Sequence, residues 1–126
     1  MKFKTLMIIK AVVCLCLGVP ILLAPVFFYS LFEASLNSGG VFAAREYGAS
    51  LIGNLMVTWL ARKATDSEAL RAIILGLCIY DAIGFVITLI AQVAGVLGPL
   101  GWFAAAIYLF FAVGFGYFLL PQKKVA

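Results

Sequence analysis

The chain has 126 residues, of which 66% are hydrophobic and 11% charged, with a mean hydropathy of +1.19. A soluble domain carries about 45–50% apolar and about 25% charged residues, so too little charge remains here for a water-facing shell. The composition excludes an ordinary soluble enzyme, a nucleic-acid-binding module and a disordered tail, and it leaves an integral membrane protein.

The net charge of +4 gathers beside the ends of apolar runs. There is no histidine, which removes the commonest metal ligand and the side chain that titrates nearest neutrality. No metal or cofactor is expected. Cys14, Cys16 and Cys78 all lie in apolar runs and read as small buried hydrophobes.

A membrane helix needs about 20 mainly apolar residues. The first apolar run covers residues 6–32, with Lys2 and Lys4 before it and Lys10 near its start. It is long for a secretory signal and lacks a small-residue cleavage site, so it reads as a retained span. Pro20 or Pro25 is expected to kink it. Lys10 is expected to snorkel back to the headgroups.

Residues 33–40 (EASLNSGG) form the first polar connection. A second span over about 41–61 leads into Arg62, Lys63, Asp66 and Glu68. Thr65 and Glu68 have capping-box spacing, which predicts a helix start near Asp66. The third span covers about 69–91. After a tight connection, Pro99 suits the first turn of a fourth helix running over 99–120, which Pro121 then stops. Trp59, Trp102 and Tyr117 sit where interfacial anchors are found.

The expected fold is all-α: a single domain over residues 1–126, folded as a polytopic transmembrane four-helix bundle. If four spans alternate, Lys2, Lys4, Lys10, Arg62, Lys63, Arg71, Lys123 and Lys124 share one side, and Arg45 stands alone near the other. The positive-inside rule then predicts cytoplasmic N- and C-termini.

Close packing carries much of helix association in lipid. Candidate packing positions are Gly48 and Gly53 in the second span, Gly76 and Gly84 in the third, and Ala105, Ala112 and Gly116 in the fourth. Aromatic residues cluster at 27–32 and surround the fourth span, so many of them should meet lipid or a protein partner.

Asp81 is the most informative polar residue. It lies ten positions beyond Arg71, or about 15 Å at 1.5 Å per residue, about half a hydrocarbon core. A carboxylate there is costly and should face the bundle interior. Asn54 and Tyr108 reach similar depths, with Thr58 and Thr88 one or two turns away on the same helices as Asn54 and Asp81. This intramembrane polar set is either a functional site or a hydrogen-bond cluster that fixes helix pairing. Glu33, Arg45 and Glu46 form a group of outer interfacial charges, with an Arg45–Glu33 or Arg45–lipid phosphate contact expected.

No phosphate-binding loop, dinucleotide fingerprint, zinc-protease helix or nucleophile elbow occurs, and only one carboxylate is deep. An enzyme is therefore not expected. The layout, with Arg45-Glu46-Tyr47-Gly48, Trp59-Leu60-Ala61-Arg62 and Tyr80-Asp81, resembles small uncharacterised bacterial four-span integral membrane proteins. That resemblance implies an inner-membrane location and carries no residue roles. In length and span count the chain also looks like the small multidrug transporters, but their first-span carboxylate has no counterpart before Glu33.

The leading functional expectation is a small accessory or scaffold subunit of a membrane protein complex. A proton-coupled small transporter centred on Asp81 and a lipid- or quinone-binding membrane module are the alternatives. Expected partners are membrane lipids and another membrane protein or a second copy of the chain, with no nucleic acid.

Overall fold

The computed structural model describes residues 1–120, all helix and turn. In chain order the helices are α1 (Phe3–Leu23), α2 (Pro25–Ser30), α3 (Ser38–Ala61), α4 (Glu68–Val93) and α5 (Gly101–Leu119). Three of them, α1, α4 and α5, are long and apolar enough to cross a membrane. α3 has 24 residues, enough at about 1.5 Å each to cross. Arg45, Glu46, Ser50, Asn54 and the Ser38-Gly39-Gly40 start dilute its apolar character, so the expected second span is the weakest of the four.

The first expected span is broken rather than kinked. α1 ends at Leu23, Ala24 leaves helical geometry (φ −142°, ψ 62°), and Pro25 opens α2 at its first position. Pro25 has no N–H to give to the preceding turn and disfavours helical geometry at the residue before it. Pro20, by contrast, is carried inside α1.

The chain after α2 turns by two backbone bonds, Glu33 N–H to Ser30 O and Ala34 N–H to Tyr29 O, with Glu33 in left-handed geometry (φ 58°). α4 ends in the same paired pattern, Gly95 N–H to Gln92 O and Val96 N–H to Ala91 O, with Gly95 at φ 76°. This is the Schellman motif, and glycine suits its left-handed position because it has no β-carbon.

The starts of α3 and α4 are capped by side-chain oxygens. Asn37 Oδ1 accepts from Gly40 N at 2.7 Å, and Ser67 Oγ accepts from Leu70 N at 3.1 Å. The cap of α4 is therefore Ser67, not the expected Thr65. Glu68 becomes the first helical residue, where its charge favours the helix dipole. Pro99 lies before α5 rather than in its first turn, and the chain enters that helix through the tight bonds Gly101 N–H to Gly98 O and Trp102 N–H to Pro99 O. Pro121, Lys123 and Lys124, read above as a stop and inner-face charges, lie outside the described residues.

Helices pack as two antiparallel pairs, α1 with α3 and α4 with α5. The α1–α3 crossing is built on Gly18 and Gly48. A β-carbon added at Gly48 would stand 2.9 Å from Leu22 N and 3.1 Å from Gly18 O, so only hydrogen fits there. The inner end, holding the start of α1, is filled by Leu6, Met7, Leu70, Ile74, Leu77, Phe111 and Phe115. Phe111 and Phe115 are 1% and 0% exposed, so two of the aromatics expected to face outward are core. Trp102, Phe103, Phe110 and Tyr117 do face outward.

Candidate functional site

α1 buries a stripe at steps of four: Leu6, Lys10, Cys14 and Gly18. Lys10 is thus an inward-facing residue, 3% exposed, and it does not snorkel. Its ammonium donates to Asp81 Oδ1 at 2.5 Å, and Asp81 is itself 0% exposed. Lys10 Nζ also lies 4.6 Å from the centre of the Phe111 ring and 5.2 Å from that of Tyr80. Both distances suit attraction between a cation and a ring face.

An unpaired charge in an apolar interior is expensive, and an opposite charge at contact offsets much of that cost. The ion pair joins α1 to α4 and so bridges the two helix pairs. Asp81 Oδ2 is buried without a hydrogen-bond partner in the protein, as is the Tyr80 hydroxyl.

Outward from this pair, the tyrosines take over. Tyr47 on α3 and Tyr108 on α5 share a short hydroxyl–hydroxyl bond. The Tyr108 ring lies against Gly84, where any β-carbon would collide with it. Asp81 and Tyr108 each have another partner, Lys10 and Tyr47.

A cavity of about 320 Å³ lies between the helix pairs, with Lys10, Cys14 and Asp81 at its inner end and Tyr29, Tyr47, Tyr80 and Tyr108 along its walls. Leu31, Phe32, Leu97, Leu100 and Phe103 line its outer end. An adjoining cavity of about 450 Å³ shares the four tyrosines and Thr88, and reaches Ser50, Ile83 and Ile87 between α3 and α4. Below Lys10 and Asp81 the packed inner core closes the bundle.

The rest of the expected polar set is dispersed. Asn54 is half-buried with its Nδ2 unpartnered. Thr58 is fully buried, but its hydroxyl donates within its own helix, to Asn54 O at 2.8 Å and Leu55 O at 3.1 Å. This back-bonding is the usual way a threonine satisfies itself inside a helix. Thr88 is half-buried and lines both cavities. Gln92 Nε2 donates to Leu97 O and Gly98 O and closes the α4–α5 connection.

Glu33, Arg45 and Glu46 are exposed, and the ion pair among the described residues is Lys10–Asp81. The expected Arg45–Glu33 bridge does not form. Of the packing candidates, Gly48 and Gly84 are close approaches and Ala105 is buried. Ala112 offers its carbonyl to Cys78 Sγ at 3.4 Å, and a β-carbon at Gly116 would meet that sulfur at an ordinary 3.7 Å. Gly53 and Gly76 have nothing within 4 Å of an added β-carbon and make no close approach within the chain. Cys16 is exposed, unlike the buried Cys14.

Lys10, Tyr29, Tyr47 and Tyr80 belong to the site and were not among its expected members. The signal for Lys10 was its place in the Leu6–Cys14–Gly18 stripe. For Tyr47 it was the step of one residue from Gly48. Comparison with known protein families, curated proteins and solved structures gives no match to this chain.

Proposed function

We propose that the protein is a four-span helical bundle of the bacterial inner membrane, with cytoplasmic termini, that binds a small lipophilic molecule in the outer half of the bundle. The observation that carries this reading is the 320 Å³ cavity ending on a buried Lys10–Asp81 pair. Its size is at the lower end of small-molecule sites, about 300–1,000 Å³, and it has their make-up of apolar walls with a few convergent polar groups. The antiparallel seat of α3 on α1 supports α3 as the fourth span.

Full-length protein purified in a mild detergent and analysed by native mass spectrometry tests this. The expected result is a bound lipophile on the wild type, reduced at least fivefold in Ile107→Trp, which fills the cavity from α5. Equal ligand content in both proteins would overturn it.

The accessory-subunit reading draws on the outward surface of α4 and α5, where Ile87, Ile90, Trp102 and Phe103 are exposed. Lipid covers such a surface equally well, so it is the weaker proposal. Proton coupling through Asp81 is weaker still, because the carboxylate already has Lys10 as a partner and the core beneath it is filled.

A further inference from the structure

We infer that the molecule taken by this cavity carries a neutral hydroxyl head, as an aliphatic alcohol or a phenol does, and that this head sits between Asp81 Oδ2 and Lys10 Nζ. The inference rests on the lipophile-binding reading and specifies its ligand.

The argument begins with charge. Lys10 and Asp81 form a closed pair at 2.5 Å, so the inner end of the cavity is neutral overall. An anionic head would place a second negative charge beside Asp81, and a cationic head a second positive charge beside Lys10. Neither addition has a further counter-ion among the cavity walls, whose remaining polar groups are tyrosine and threonine hydroxyls and the Cys14 thiol. In an apolar interior an uncompensated charge is strongly disfavoured.

Hydrogen-bond capacity then selects among neutral heads. Asp81 Oδ2 is a buried acceptor with no donor, in a residue 0% exposed that lines the cavity. Lys10 has three ammonium donors, and one is given to Asp81 Oδ1. One site thus lacks a donor and its neighbour has donors to spare. A hydroxyl supplies both functions from one oxygen: its O–H donates to Oδ2 and its lone pair accepts from Nζ. A ketone or ester carbonyl only accepts, and it would leave Oδ2 unsatisfied. The apolar body would then lie along Leu17, Tyr80 and Ile107 toward Phe103.

The test uses the full chain in phosphatidylcholine nanodiscs and four diazirine-bearing 12-carbon probes at equal mole fraction. They end in a hydroxyl, a carboxylate, a trimethylammonium or a plain methyl group. Labelling of the peptides containing Asp81 and Tyr108 is read by mass spectrometry. The hydroxyl probe is expected to label at least fivefold above the methyl probe and above both charged probes, with 1-dodecanol competing. In the double variant Lys10→Met/Asp81→Leu its labelling should fall to the methyl-probe level. The comparison of heads on the wild type stands even if that variant does not fold.

A carboxylate or trimethylammonium probe that labels as well as the hydroxyl probe would overturn the inference. So would equal labelling by all four, which would leave an apolar cavity and the broader reading intact. Absence of cavity labelling by every probe would instead remove the lipophile-binding reading itself.

Discussion

Lys10 and Asp81 stand 71 positions apart in sequence and 2.5 Å apart in space, and each is the other's ionic partner in an apolar interior. α1 is seated on α3, and α4 on α5, so this contact is a polar tie between the two helix pairs beside the core they share. Removing one member leaves a buried charge, whereas removing both leaves only a shape to be filled.

The single variants Lys10→Met and Asp81→Leu are therefore expected to lose about 3–5 kcal/mol each, and the double variant to lie within about 1–2 kcal/mol of the wild type. Unfolding by steric trapping or denaturant titration in bicelles reads the difference. Additive losses in the double variant would show that the two charges are not coupled.

Gly48 and Gly53 make a matched pair for packing. Gly48→Ala drives a methyl into the α1 backbone at Leu22 and should cost about 1–3 kcal/mol. Gly53→Ala meets nothing within 4 Å and should change stability by no more than about 0.5 kcal/mol. Melting temperatures in one detergent check both, and a Gly53→Ala loss as large as that of Gly48→Ala would contradict the packing described.

The Tyr47–Tyr108 bond ties α3 to α5. Tyr47→Phe and Tyr108→Phe should each cost about 1 kcal/mol, and the double variant little more than either alone. A double-mutant cycle with independent effects would mean that the two hydroxyls do not bond to each other.

The crossing of α3 is checked from its two ends. In a background without Cys14, Cys16 and Cys78, Ser35→Cys and Lys63→Cys are expected to react with a membrane-impermeant maleimide from opposite faces. Lys63→Cys should react only after permeabilisation, as an inner-face position would. Labelling of both from one face would place α3 on the membrane surface.

The helices were legible in the sequence because apolar length and caps are local properties. The start of α4 was placed within two residues of its cap, although Ser67 and not Thr65 supplies the capping oxygen. The burial of Asp81 was equally readable, because a carboxylate inside an apolar run should face the interior. Its partner was not read, because Lys10 near an apparent helix start fits the charge bias of an inner face. The helix begins earlier, at Phe3, and puts Lys10 about two turns in. Its stripe with Leu6, Cys14 and Gly18 was visible, but pairing it with α4 required knowing which helices meet. The packing glycines divide for the same reason. A small residue permits close approach, and only the neighbouring helix decides whether approach occurs, as Gly48 and Gly76 illustrate.

The backbone bond from Gly98 N–H to Phe32 O, at 2.7 Å, clasps the two outer connections together at the rim. On the lipophile-binding proposal, with that rim tied and the end of the bundle below Lys10 and Asp81 packed, the side gap between α3 and α4 is the way in. The proposal then implies two-dimensional loading: molecules would arrive from among the acyl chains, and occupancy would follow their abundance in the bilayer instead of their concentration in water.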